Sequence, residues 1–70
     1  MKAFILIETT PGKARQVTTA LKQLDEVKSA DVVIGPYDVI AVLEAENMTT
    51  VTAKIKAIPD ICRTVVCMTE

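Results

Sequence analysis

The chain has 70 residues, 8 Lys and Arg against 9 Asp and Glu, a net charge of −1, half its residues hydrophobic, and Phe4 and Tyr37 as its only aromatics. No basic stripe tracks a phosphate backbone and no aromatic platform offers itself to bases, which argues against direct nucleic-acid binding. A single domain, 1–70, is all this length allows; it buries only about 60% of the surface its unfolded chain exposes, so a partner is expected to complete so aliphatic a core.

The longest early apolar run, Ala3 to Ile7, is far too short to span a bilayer, and Glu8 interrupts any signal-peptide core. A cytoplasmic protein is the expectation. The chain enters its first predicted strand directly after Met1, and no repeat, linker or low-complexity segment suggests an appended domain.

"KAFILIE" (2–8) is β-branched and aliphatic and predicts a strand. "TTPGKARQVTTALKQL" (9–24) predicts a helix, with Thr10 as N-cap and Pro11 at the first helical position. Ala14, Val17, Leu21 and Leu24 recur at spacings of three and four and form its apolar stripe. "VKSADVVIG" (27–35) and "YDVIAVLEA" (37–45) predict two strands joined at a Gly-Pro corner. "NMTTVTAKIKAI" (47–58) predicts a second helix, capped by Asn47 and ended by Pro59, with Met48, Val51, Ile55 and Ile58 on one face. "DICRTVVCMTE" (60–70) predicts the last strand.

Strand–helix–strand–strand–helix–strand is the ferredoxin-like βαββαβ order of the α+β class. Right-handed crossovers place both helices on one face of a four-stranded antiparallel sheet. The other face of such a sheet is usually polar. Here it is apolar: Phe4 and Leu6 oppose Ala3, Ile5 and Ile7; Ile40 and Val42 oppose Val39, Ala41 and Leu43; Val65 and Cys67 oppose Val66 and Met68. Two apolar faces with helices enough for one predict an isologous dimer, sheet against sheet.

Catalytic groups are sparse. The chain has no His, no serine-centred elbow, no Gly-rich phosphate loop and no cluster with metal-ligand spacing, so no enzyme, metal or cofactor is expected. Glu44 and Glu46 read as solvated strand-end charges rather than a carboxylate pair. Tyr37 and Asp38 are an acid and a base in principle, with no further catalytic partner beside them in the sequence. Cys62 and Cys67 fall on opposite sides of a strand, too far apart in phase to bridge, and read as small buried hydrophobes in a reducing compartment.

The Gly35-Pro36-Tyr37-Asp38 corner has two readings. With Pro36 second and Tyr37 third, a type I turn with a bulge near Gly35 suits it, Asp38 bonding a turn amide and Tyr37 resting on a neighbour. Alternatively the amides of Gly35, Tyr37 and Asp38 form a nest for an anion while the Asp38 carboxylate accepts from an ammonium group. Such a combination suits an amino acid.

"TTPGK", "VKSADVVIGPYDVIAVLEAE" and "IPDICRTVVCM" together resemble the effector-binding (RAM) domain of the Lrp/AsnC regulators across nearly the whole chain, the Gly-x-Tyr-Asp hairpin most specifically. The resemblance implies a dimeric α/β barrel, dimers assembled into rings, commonly four dimers in an octamer, and amino-acid effectors held in clefts between dimers. It carries ligand-binding roles to Gly35, Tyr37 and Asp38 in the hairpin and to Thr64 in the last strand. Val66 stands where many members have a second threonine, and Asp60 where glycine is usual after the last proline. With no helix-turn-helix, the chain is similar to stand-alone RAM proteins. A non-enzymatic amino-acid-binding oligomer is therefore expected, regulating amino-acid metabolism without touching DNA, with a full-length Lrp/AsnC regulator as a co-assembly partner. A small dimeric-barrel monooxygenase or isomerase and a purely structural adaptor are the alternatives.

Overall fold

The computed structural model describes all of residues 1–70, and its elements follow the expected order. They are β1 (Lys2–Thr9), α1 (Ala14–Leu21), β2 (Val27–Val32), β3 (Val39–Glu44), α2 (Met48–Lys56) and β4 (Ile61–Met68). The strands form one antiparallel sheet in the order β2-β3-β1-β4, so β1 is central and β2 and β4 are the edges. This is the ferredoxin-like arrangement.

The core lies between the sheet and the helices. Ile5 sits between Ala41 and Val66, and Ile7 between Val39 and Thr64; Ala3, Ile5, Ile7, Val39, Ala41 and Leu43 are fully buried. Above them pack Val17 and Leu21 of α1 and Met48, Val51 and Ile55 of α2, with Ala14, Leu24 and Ile58 partly buried against them. Each fully buried Val, Leu or Ile of this set contributes about 1.5–3 kcal/mol through removal from water. Thr18 joins α1's buried face because its hydroxyl donates to the Ala14 carbonyl at 2.8 Å, which leaves no unpaired polar group inside.

The two helices begin differently. Asn47 caps α2, its side-chain oxygen accepting from the Thr50 amide at 3.2 Å, as expected. Thr10 does not cap α1, which starts only at Ala14 with Lys13 before it and no side-chain cap. The cause is Pro11-Gly12: Gly12 has φ +82°, the third position of a type II turn, and the Lys13 amide closes the turn on the Thr10 carbonyl at 3.0 Å. Pro11 thus serves a turn and not a helix.

The hairpin between β2 and β3 also departs from the tight corner expected. β2 ends at Val32 and β3 begins at Val39, leaving a six-residue bend, Val33 to Asp38, closed by the Val33 amide on the Asp38 carbonyl at 2.8 Å. Gly35 has no positive φ and lies in no bulge; the register shifts fall between Glu8 and Thr9 and between Val27 and Ser29.

On the face away from the helices, β1–β3 and β1–β4 pairing align Phe4 with Val42 and Cys67, and Leu6 with Ile40 and Val65. Phe4 keeps 38% of its surface exposed, and Leu6, Ile40, Val42 and Val65 are half-buried. Both cysteines are free and exposed, which corrects the expectation that they are buried. They sit on β4, an edge strand whose helix-side residues Val66 and Met68 also stay open, at 36% and 48%.

Candidate functional site

Three connections meet at one end of the sheet: the turn after β1, the β2–β3 hairpin and the turn into β4. Backbone geometry draws them together. The Thr10 amide donates to the Asp60 carbonyl at 2.9 Å, and the Asp38 amide donates to the Ile7 carbonyl at 2.9 Å. Asp60 adopts φ +71°, a left-handed conformation that costs a residue with a Cβ and that glycine takes freely.

Asp38 is half-buried, and its Oδ2 accepts from the Thr9 amide at 2.8 Å and the Thr9 hydroxyl at 3.3 Å. Thr9 is 6% exposed, so the carboxylate satisfies an amide that water does not reach. The partner is the end of β1, not the hairpin's own turn. Oδ1 takes no hydrogen bond from the chain and remains an open acceptor.

Of the three amides in the expected nest, that of Asp38 is already used by Ile7, while those of Gly35 and Tyr37 have no backbone acceptor. Gly35 is exposed, its backbone needs no positive φ, and a Cβ built there meets nothing within 4 Å. Nothing inside the subunit requires glycine at this position.

Tyr37 is half-buried beneath Arg63, whose guanidinium carbon lies 5.8 Å from the ring centroid. This is a cation–π contact that ties the hairpin to β4. Thr64, the next residue, pairs with Ile7 across from Val39, so it flanks β1 on the side opposite Asp38. It lines a cavity of about 180 Å³ together with Lys56, Ile61, Cys62 and Arg63. Cys62 lies there with its Sγ 3.7 Å from the Thr10 hydroxyl.

Gly35, Tyr37 and Asp38 therefore share one loop, and Thr64 stands one strand beyond them. Thr9, Lys56 and Arg63 were not singled out in the sequence. The strand alternation marks Thr64 and Arg63 as adjacent but cannot reveal a stack with a tyrosine on another loop. Thr9 is hidden because a threonine at a strand end is unremarkable until its amide is seen to lack a ladder partner.

The family model described as "Lrp/AsnC ligand binding domain" matches residues 2–69. Among solved structures, FFRP-DM1 is 37% identical over 99% of this chain and 97% of its own, with a TM-score of 0.89. E. coli AsnC is 23% identical over 93% of this chain and 47% of AsnC, with a TM-score of 0.81. The fold likeness extends to an enzyme, the 5-chloro-2-hydroxyhydroquinone dehydrochlorinase TftG of Burkholderia phenoliruptrix AC1100, at 15% identity over 100% of this chain and 94% of TftG, with a TM-score of 0.69. No curated protein matches the chain in sequence. The chain belongs to the Lrp/AsnC ligand-binding-domain family.

Proposed function

As a member of that family, this chain is, we propose, a non-enzymatic amino-acid-binding oligomer that regulates amino-acid metabolism through its own assembly state or by co-assembling with a full-length Lrp/AsnC regulator. The observation that carries the proposal is the hairpin end of the sheet. The amides of Gly35 and Tyr37 are unpaired there beside the open Oδ1 of Asp38, donors and an acceptor within one exposed loop. An α-carboxylate suits the amides and an α-ammonium suits the carboxylate. Thr64, on the far side of β1, supplies a hydroxyl from the last strand, and Val66 on the same face supplies none.

The unit that performs this role is a dimer. The second copy lies on the helix-free face, where Phe4, Leu6, Ile40, Val42 and Val65 form one apolar surface. A dimer of this kind encloses aliphatic side chains between its sheets. That favours a binding protein over a barrel enzyme, whose interior needs polar groups around a substrate.

The test is a thermal-shift and light-scattering panel of the twenty amino acids at millimolar concentration. A ligand that binds only the folded state raises the melting temperature by mass action. At least one amino acid is expected to do so or to change the oligomer mass. A flat response across the panel removes the sensor role and leaves the structural adaptor, which a pull-down with and without amino acids then identifies.

A further inference from the structure

We propose that the effector is anionic overall, an amino acid with a side-chain carboxylate of the glutamate or aspartate type, because the cavity beside Thr64 is lined by two cations and no acid. This rests on the effector reading above and names the ligand class of that site. The cavity is bounded by Lys56 at the end of α2 and by Ile61, Cys62, Arg63 and Thr64 at the start of β4. The chain's ion pairs are Met1 with Glu44 and Lys54 with Glu26, so no carboxylate lies within 4.0 Å of the Lys56 or Arg63 cation. Asp60, next to the cavity in the chain, and Glu8, opposite Arg63 in the strand register, neutralise neither in an ion pair.

An unneutralised pair of cations around a concave surface raises the local concentration of small anions and favours a carboxylate over its amide isostere. The Thr64 hydroxyl adds a donor within the same lining. At about 180 Å³ the cavity is smaller than sites for drug-sized ligands, roughly 300–1,000 Å³, and suits a short acidic side chain. Arg63 also stacks on Tyr37, so the cationic lining is mechanically tied to the hairpin loop that carries Asp38. An acidic amino acid has a group for each part: ammonium for Asp38, α-carboxylate for the free amides, side-chain carboxylate for the cations.

The experiment is calorimetric titration of the intact oligomer with L-glutamate, L-glutamine, L-leucine and glutarate at matched ionic strength. The same titrations are run on Lys56→Gln and Arg63→Gln, with circular dichroism as a folding control. Glutamate is expected to bind about tenfold or more tightly than glutamine, and each variant to bring that ratio close to one. Lys56→Gln is the cleaner variant, since it leaves the Arg63–Tyr37 stack in place. Glutamine or leucine binding as tightly as glutamate overturns the inference and leaves the amino-acid effector reading intact. Binding by none of the amino acids overturns both. Glutarate binding as tightly as glutamate upholds the anion cavity and removes the α-amino-acid reading instead.

Discussion

The two faces of this sheet both carry an apolar centre and have opposite fates. On the helix side, Ile5 and Ile7 have no exposed surface; on the other, Phe4 and Leu6, their immediate neighbours, are left open or half-open. Both faces carry large apolar side chains at the middle of β1 and β3, so the difference there lies in what covers them. Two helices cover one face, and nothing within the subunit covers the other, which the proposed function gives to a second copy. A one-layer core plus an apolar face is what the dimer proposed above requires of each subunit.

The sharpest way to break this comparison is to truncate one residue on each face. Ile5→Ala is expected to lower unfolding stability by about 2–5 kcal/mol in urea titration, because a fully buried side chain leaves a cavity behind. Leu6→Asp, on the open face, is expected to act on association: sedimentation velocity should move to a lighter species. A Leu6→Asp protein that sediments like the parent shows that this face meets nothing.

Smaller effects arise at the end of the sheet, where neither face is involved. Asp38→Ala orphans the buried Thr9 amide, and a loss of about 1–3 kcal/mol in stability is expected beside any loss of ligand affinity. Gly35→Ala separates the two roles. It is expected to leave the melting temperature within the scatter of the parent, since a Cβ there meets nothing, while weakening effector binding. Asp60→Gly relieves a left-handed residue and is expected to stabilise by about 0.5–1 kcal/mol in the same titration.

The smallest effect is electrostatic. Glu26 is held below its ordinary value of 4.5, first by the hydrogen bond from Lys54 at 2.9 Å and then by a backbone hydrogen bond. A carboxylate whose folded pKa is depressed contributes stability above its unfolded pKa and loses it as pH falls through the folded one. Glu26→Gln is expected to flatten the stability curve slightly below pH 4.5, and added salt should mask the difference because the pair is exposed.

Much of the fold is legible in the sequence because periodicity reports burial. Alternation in β1 and β3 marks both faces, and the spacing of Val17 and Leu21, and of Met48, Val51 and Ile55, marks the two helix seams. What is not legible depends on competition between local motifs or on distant contacts. Thr10-Pro11-Gly12 has the composition of a helix start and of a type II turn, and Gly12's positive φ decides for the turn. The Gly-Pro corner opens into six residues, with the Asp38 carboxylate and amide bonded to β1 while its carbonyl closes the bend on Val33. The cysteines are hydrophobic enough for a core, but both sit on an edge strand, and Cys67 lies beside Phe4 on the helix-free face. Arg63 and Tyr37 meet only through the sheet order, which places the starts of β3 and β4 on either side of β1.

Cys67 gives the most direct test that a second copy covers the open face, because it lies beside Phe4 and is exposed in the single subunit. In a Cys62→Ser background, its rate of maleimide labelling is compared between native protein and denatured chain. A covered face predicts native labelling slowed about tenfold or more, with the protection lost in Leu6→Asp. Native Cys67 reacting as fast as in the denatured chain contradicts the account.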